Sequence, residues 1–243
     1  LNLCGSNVIV ARKAHQSARR GAAIFMLTLS GVLASCGGGG GSGGGSSTPA
    51  ATTADYALSR AYTNYVNEGQ SINFSVSGNC SGTGTLTIGI PALTAFLAAS
   101  AYGSTETLTL NTNACSLTSN TRTLYYNSTP AQIGFSIQNG EFGVAQAPIA
   151  LPGQVAVGDS GTLGTFNVWT DSTQTVSAGT LVFTYSVMAD TSTSAIVQVT
   201  KDSYNTSMVL TQSQIEDYRI TSSGTLTLVS INYQVAGILL TAN

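Results

Sequence analysis

From Tyr56 onward apolar and polar residues take turns, and this period of two constrains the fold more than any other feature of the chain. Ile72, Phe74 and Val76 fall on one side of an extended segment, with Ser71, Asn73, Ser75 and Ser77 on the other. Leu86, Ile88 and Ile90 alternate with Thr85, Thr87 and Gly89, and Leu108 and Leu110 with Thr107 and Thr109. Residues arranged this way bury one face of a β-strand and leave the other to water. Strands are expected as well over 58–66, 122–126, 132–137 and 141–145. Others are expected over 162–170, 181–187, 195–199, 207–211, 218–221, 226–228, 231–235 and 238–240. Gly78-Asn79, Gly82, Gly84 and Asn111 to Asn113 punctuate the early ones. Ser, Thr, Gly and Asn abound while Lys and Glu are scarce, so hydroxyls would solvate the surface and helix would be rare.

Sequential strands joined by short turns pair antiparallel, because parallel pairing needs long crossovers. The expected fold class is therefore all-β and antiparallel. Pro148 to Gly153 carries two prolines and a glycine and reads as an internal boundary. Residues 54–147 are expected to form an immunoglobulin-like β-sandwich. Residues 148–243 are expected to form an antiparallel β-meander, as a second sandwich or a curved sheet. One continuous sheet through both halves is the alternative. Pro91 to Tyr102 reads two ways: Leu93, Phe96, Leu97 and Ala101 fit a helical stripe, or they line a hairpin. A loop with a helical turn is the preferred reading.

Ahead of the body, residues 1–35 read as a secretory leader. Arg12, Lys13, Arg19 and Arg20 give a basic start, and Gly21 to Leu33 an apolar core too short to span a membrane comfortably. Residues 36–53 read as a linker, with a glycine-serine run over Gly37 to Ser47 that behaves as a coil spanning roughly 18 Å. Between leader and linker stands Leu33-Ala34-Ser35-Cys36. This stretch resembles the lipobox of bacterial lipoproteins at every position. The resemblance implies that Cys36 receives a diacylglyceryl thioether, that signal peptidase II cuts before it, and that its new amine is acylated. One acyl chain binds a membrane only marginally, whereas the three implied here would hold the protein there permanently. Gly37 occupies the position where an Asp is that family's inner-membrane retention signal, which implies the outer membrane.

Cleavage would remove four basic residues and His15, the only histidine. The remaining four basic residues stand against ten acidic ones, a formal charge of −6. Nucleic acid is excluded as a partner, since phosphate binding needs clustered Lys and Arg. Electrostatic attraction to anionic lipid headgroups is excluded on the same ground. With Cys4 lost and Cys36 lipidated, Cys80 and Cys115 remain as a pair in an oxidising compartment and are expected to form a disulfide. Closing a loop of about 35 residues would contribute up to roughly 4 kcal/mol in the chain-entropy picture.

Candidate chemistry is sparse. Gly158-Asp159-Ser160-Gly161 looks like the nucleophile motif of chymotrypsin-like serine proteases, but the mature chain has no histidine to serve as base. The stretch reads as a turn into a strand. Lys201 is the one lysine left to partner a serine. No cofactor or metal is called for: histidine and free thiols are lacking, and the aspartates at turns match no calcium loop. Glu68, Glu106, Glu141 and Glu216 are the glutamates a glycosidase could use, and they read as solvated surface. No residue is assigned a catalytic role. The expected function is that of a non-enzymatic, lipid-anchored cell-envelope protein that displays β-domains on its tether for adhesion or an envelope-structural role. Its partners would be the membrane, through Cys36, and a protein or glycan. A periplasmic carrier cupping an apolar ligand in a curved sheet is the alternative, with a hydrolase third.

Overall fold

A computed structural model describes residues 55–113, 117–138 and 140–243. Among these residues one helix, α1 (Leu58–Glu68), precedes thirteen strands. The first seven are β1 (Gln70–Gly78), β2 (Ser81–Ile88), β3 (Ala92–Phe96), β4 (Ala99–Asn113), β5 (Asn120–Tyr126), β6 (Gln132–Ile137) and β7 (Phe142–Ile149). The remainder are β8 (Ser160–Trp169), β9 (Ser177–Thr191), β10 (Ser194–Tyr204), β11 (Leu210–Thr221), β12 (Leu226–Tyr233) and β13 (Ile238–Ala242).

From β4 to β13 each strand pairs with the next in sequence. β13 then pairs with β1 (Val76↔Leu240), β1 with β2 (Ile72↔Leu86) and β2 with β4 (Leu86↔Leu108), all antiparallel. The sheet thus closes into a barrel of twelve strands, with β3 outside the closed wall. This corrects the immunoglobulin-like sandwich expected for 54–147. A period-two pattern says which face of a strand is buried but not which strand lies beside it, and β1 takes its second partner from the far end of the chain. Pro148 to Gly153 is likewise no break in the sheet, because β7 and β8 pair across it from Phe142↔Trp169 to Ala145↔Phe166. The meander expected over the second half is present in β8 to β13, as an arc of the shared wall.

The alternation sorts the two faces. Phe74, Val76, Leu86, Leu108, Phe166, Val197, Ile220, Leu228 and Leu240 are buried in one core cluster on the lumenal face. Phe135 on β6, Phe166 on β8 and Phe183 on β9 form a row of rings, with centroids 5.5 and 5.2 Å apart, the first step passing over Gly143 of β7. The outer face carries hydroxyls and amides: Thr85 Oγ1 donates to Asn73 Oδ1 at 2.9 Å, and Thr107 and Thr121 hydroxyls meet at 3.2 Å. A membrane-spanning barrel has the opposite sidedness, with an apolar band outside and polar groups within. No helix among the described residues is long and apolar enough to cross a membrane.

Residues 58–66, expected as a strand, belong to α1. Leu58, Ala61, Tyr65 and Val66 are its buried residues, a spacing of three and four that only a helix presents on one side. Arg60, Asn64, Asn67 and Glu68 are exposed opposite them. Eight strands leave a barrel interior just wide enough for side chains to fill, and interior width grows with strand number. Twelve strands therefore need something more, and the buried side of α1 supplies it at one mouth. The chain before the helix is fixed there by a bridge between Tyr56 and Val155 and by Ser59 N–H donating to the Pro152 carbonyl at 3.0 Å. Gly69, at φ 65°, ends the helix and turns the chain directly into β1.

Pro91 to Tyr102, read as a loop with a helical turn, is the tip of a hairpin. β2 and β3 lie on the same edge of β4, with Ile88 opposite Glu106 and Ala92 opposite Gly103. Four residues advance on one side against three on the other, so Gly89 to Pro91 hold a bulge. One extra residue exchanges the two faces of the strand beyond it, and Phe96 consequently falls on the outer wall. There it stacks on Tyr125 at 4.5 Å and Phe142 at 5.3 Å between ring centroids. Beneath the ring lies Gly134, where an added Cβ would run into the Phe96 ring. Gly134→Ala should release this latch at a cost of about 1–3 kcal/mol, the usual penalty for overpacking. Limited proteolysis checks it: cleavage at Leu97-Ala98 should speed up in the variant while the wall resists, and an unchanged rate would mean that Phe96 does not hold the flap.

Candidate functional site

Under α1 the lumen departs from its apolar character. Glu106 from β4, Arg122 from β5, Lys201 from β10 and Glu216 from β11 all point inward: the first three share the facing of Leu108, Leu124 and Val199, two residues away in their strands, and Glu216 that of its buried β12 partner Ile231. Arg122 Nε donates to Glu106 Oε2 at 2.5 Å, and its Nη2 lies 3.9 Å from Glu216 Oε1. Lys201 Nζ donates to that same Glu216 oxygen at 2.5 Å, with side-chain exposures of 13% for the lysine and 5% for the glutamate. Gln214 Nε2 (2.6 Å) and Tyr218 OH (2.8 Å) also donate to Glu216. Lys201 further lies 5.3 Å from the centre of the Phe183 ring, a cation–π contact.

The helix adds a layer of phenols above these charges. Tyr62 OH lies 3.4 Å from Tyr126 OH, and the Tyr65 ring meets Tyr218 edge-on at 5.7 Å. Between the two layers is a cavity of about 60 Å³, bordered by Tyr62, Tyr65, Glu106, Lys201, Glu216 and Tyr218 among others. The Tyr65 hydroxyl is buried and has no hydrogen-bond partner among the described residues. A polar niche of this size has room for a few water molecules, which is how buried hydroxyls are ordinarily satisfied.

The electrostatics follow from this packing. Burial opposes ionisation of Glu216, but the Lys201 ammonium and Arg122 guanidinium outweigh it and hold the carboxyl below its ordinary value. Burial also opposes charge on Arg122, and Glu106 and Glu216 more than compensate, so the guanidinium is held protonated. Among the phenols, burial pushes Tyr62 and Tyr233 up to about 12, Tyr62 with further help from Glu106 and Glu216, Tyr233 despite Arg122. Burial with the nearby Glu216 raises Tyr65 and Tyr218, and burial with Tyr62 raises Tyr126. Glu216 is thus held as the carboxylate, Arg122 as the guanidinium and these phenols as neutral hydroxyls. A glycosidase needs one carboxyl kept as an acid near neutral pH, and Glu216 is shifted the other way.

Reading all four glutamates as solvated surface is corrected for Glu106 and Glu216, which are buried. The inward facing of Glu106 was available from the alternation, since it keeps step with Leu108 and Leu110, whereas Glu216 stands beside Ile215 and just before a bulge at Asp217/Tyr218 that hides its facing. Glu68 and Glu141 are exposed. Gly158-Asp159-Ser160-Gly161 is the turn into β8: Gly158 has φ 99°, and Asp159 Oδ2 accepts from Ala156 N–H at 2.9 Å. Ser160 is exposed, whereas Lys201 is engaged by Glu216, so the two are not brought together. Cys80 is buried and carries no free thiol. Cys36, Cys115, the leader and the linker lie outside the described residues. Among the described residues no group of three or more His, Cys, Asp and Glu side chains comes together to hold a metal ion. Comparison with protein-family models, with curated proteins and with solved structures returns no match.

Proposed function

We propose that this chain is a non-enzymatic cell-envelope protein, held at the outer membrane by lipid on Cys36 and presenting its barrel on the Gly37–Thr53 tether for adhesion or an envelope-structural role. The observation that carries the reading is the filled lumen. A pocket for a carried ligand measures about 300–1,000 Å³, against the 60 Å³ left beneath α1. A barrel packed solid has its outer wall and rims to offer, and its hydroxyl-covered wall suits water rather than lipid. The proposal includes a Cys80–Cys115 disulfide, with Cys80 buried beside the β1–β2 turn.

Mass spectrometry of membrane-extracted protein without reductant, wild type beside Cys36→Ala, tests the anchor. The expected wild type begins at an acylated Cys36 and has the Cys80–Cys115 pair two hydrogen atoms lighter than the dithiol, while the variant keeps its leader. A soluble wild type cut at another position would overturn the anchor. A small molecule bound at one per chain in native spectra, and lost when α1 is destabilised, would favour the carrier instead.

A further inference from the structure

We propose that an open groove on the outer wall, around Trp169, is a binding site for a neutral saccharide. The inference adds a ligand class to the displayed barrel, and it stands on the groove's own chemistry whether or not Cys36 carries lipid. The groove has a volume of about 450 Å³ and lies among Asn167, Trp169, Ser177, Thr180, Thr206 and Met208, with Gly179 and Asn205 completing its lining. Its floor is the outer face of β8 and the start of β9. Its wall is the β10–β11 turn, folded toward them.

That turn is closely specified. Asn205 Oδ1 accepts from Ser207 N–H at 2.9 Å and Val209 N–H at 3.1 Å, and Met208 sits at φ 59° and 68% exposed. The backbone at Asn205 passes against Gly179, where a Cβ would run into the Tyr204 carbonyl. Glycine at 179 is therefore what lets the wall approach the floor.

Three features define the ligand. None of the eight lining residues is charged, so the groove holds no opposite charge to pair with an ionic ligand. The polar groups are the kind that pair with sugar hydroxyls. Thr180 Oγ1 is buried and has no hydrogen-bond partner among the described residues. Asn167 Oδ1 accepts from Gln146 Nε2 at 3.1 Å, and its own side-chain N–H donors are left for another acceptor. Ser177 and Thr206 present exposed hydroxyls. The third feature is Trp169, the chain's one tryptophan, which is half-buried and offers an aromatic surface to the C–H face of a pyranose ring. An aromatic surface beside a few fixed polar groups is the general make-up of a small-molecule site.

Because Trp169 is the sole tryptophan, its fluorescence reports on the groove alone. The purified full chain is titrated with chitohexaose, cellohexaose and maltohexaose, with polygalacturonate as the anionic comparison. The expected result is a saturable emission change with at least one neutral oligosaccharide and none with the polyanion. In the double variant Asn167→Ala/Thr206→Ala, both at exposed positions, the same sugar should bind about tenfold more weakly with Tm unchanged, the loss expected for two hydrogen bonds. No saturable change with any neutral sugar up to about 10 mM would overturn the site. So would binding that the double variant leaves intact. A response to polygalacturonate alone would refute the neutral class.

Discussion

Raising the pH through 10 should unfold this barrel steeply. Tyr65, Tyr126 and Tyr233 are buried and held protonated above the ordinary phenol value, and Tyr62 and Tyr218 share the shift. A phenol whose folded value is raised stabilises the fold fully below the unfolded value near 10 and loses that contribution as the pH climbs toward the folded one. Each such group takes away about 1.4 kcal/mol per pH unit, so the three buried ones alone remove about 4 kcal/mol per unit. Against a total stability of about 5–15 kcal/mol, the fold should fail between about pH 10 and 12. Tyrosinate absorbance should then appear in one cooperative step that coincides with loss of the β circular-dichroism signal. Smooth ionisation around pH 10 with that signal intact would show that these phenols are open to water.

Glu216→Ala should cost about 3–5 kcal/mol, because it leaves Lys201 buried without its carboxylate and takes one of two from Arg122. Urea unfolding followed by circular dichroism measures it. Glu216→Ala combined with Lys201→Met should recover much of the loss, since the uncompensated charge leaves with its partner. Equal loss in both variants would mean that the carboxylate supports packing rather than charge. The sign on the acid side follows from the same pair. A carboxyl held below its unfolded value stabilises the fold above about pH 4.3 and ceases to do so as the pH falls through its folded value. Wild type should therefore weaken in acid more than Glu216→Ala.

The wall was readable from the chain and its closure was not. Ile72-Phe74-Val76 and Leu181-Phe183-Tyr185 alternate so regularly that a wrong strand assignment there would put apolar rings in water. Nothing in that alternation says that Val76 lies beside Leu240, because partners 164 residues apart leave no local mark. Residues 58–66 misled for a different reason: Tyr, Thr and Val favour strands, and the buried spacing of 58, 61, 65 and 66 outweighs that preference once a wide lumen needs filling. The charged cluster was half-visible. Step with Leu108 and Leu110 marks Glu106 as inward, but Glu216 follows Ile215 and precedes a bulge at Asp217/Tyr218, so its facing shows only in the folded strand, and that Arg122 and Lys201 meet the two glutamates depends on which strands adjoin. The Trp169 groove had no sequence signature beyond a lone tryptophan, since its wall comes from a turn some forty residues later and its fit from Gly179.

Closure of the wall is the claim on which the filled lumen, the plug and the displayed surface all depend. Amide hydrogen exchange along the β1–β13 seam tests it most directly. At the two ends of that seam Asn79 N–H donates to the Gly237 carbonyl at 2.8 Å and Asn243 N–H to the Asn73 carbonyl at 2.9 Å. A closed barrel predicts that the amides of 74–78 and 238–242 are protected to the same degree as the β9–β10 pair around Val187 and Val197. Seam amides exchanging as fast as free chain, with β9–β10 still protected, would mean an open sheet, and the account of a sealed and filled barrel would be wrong.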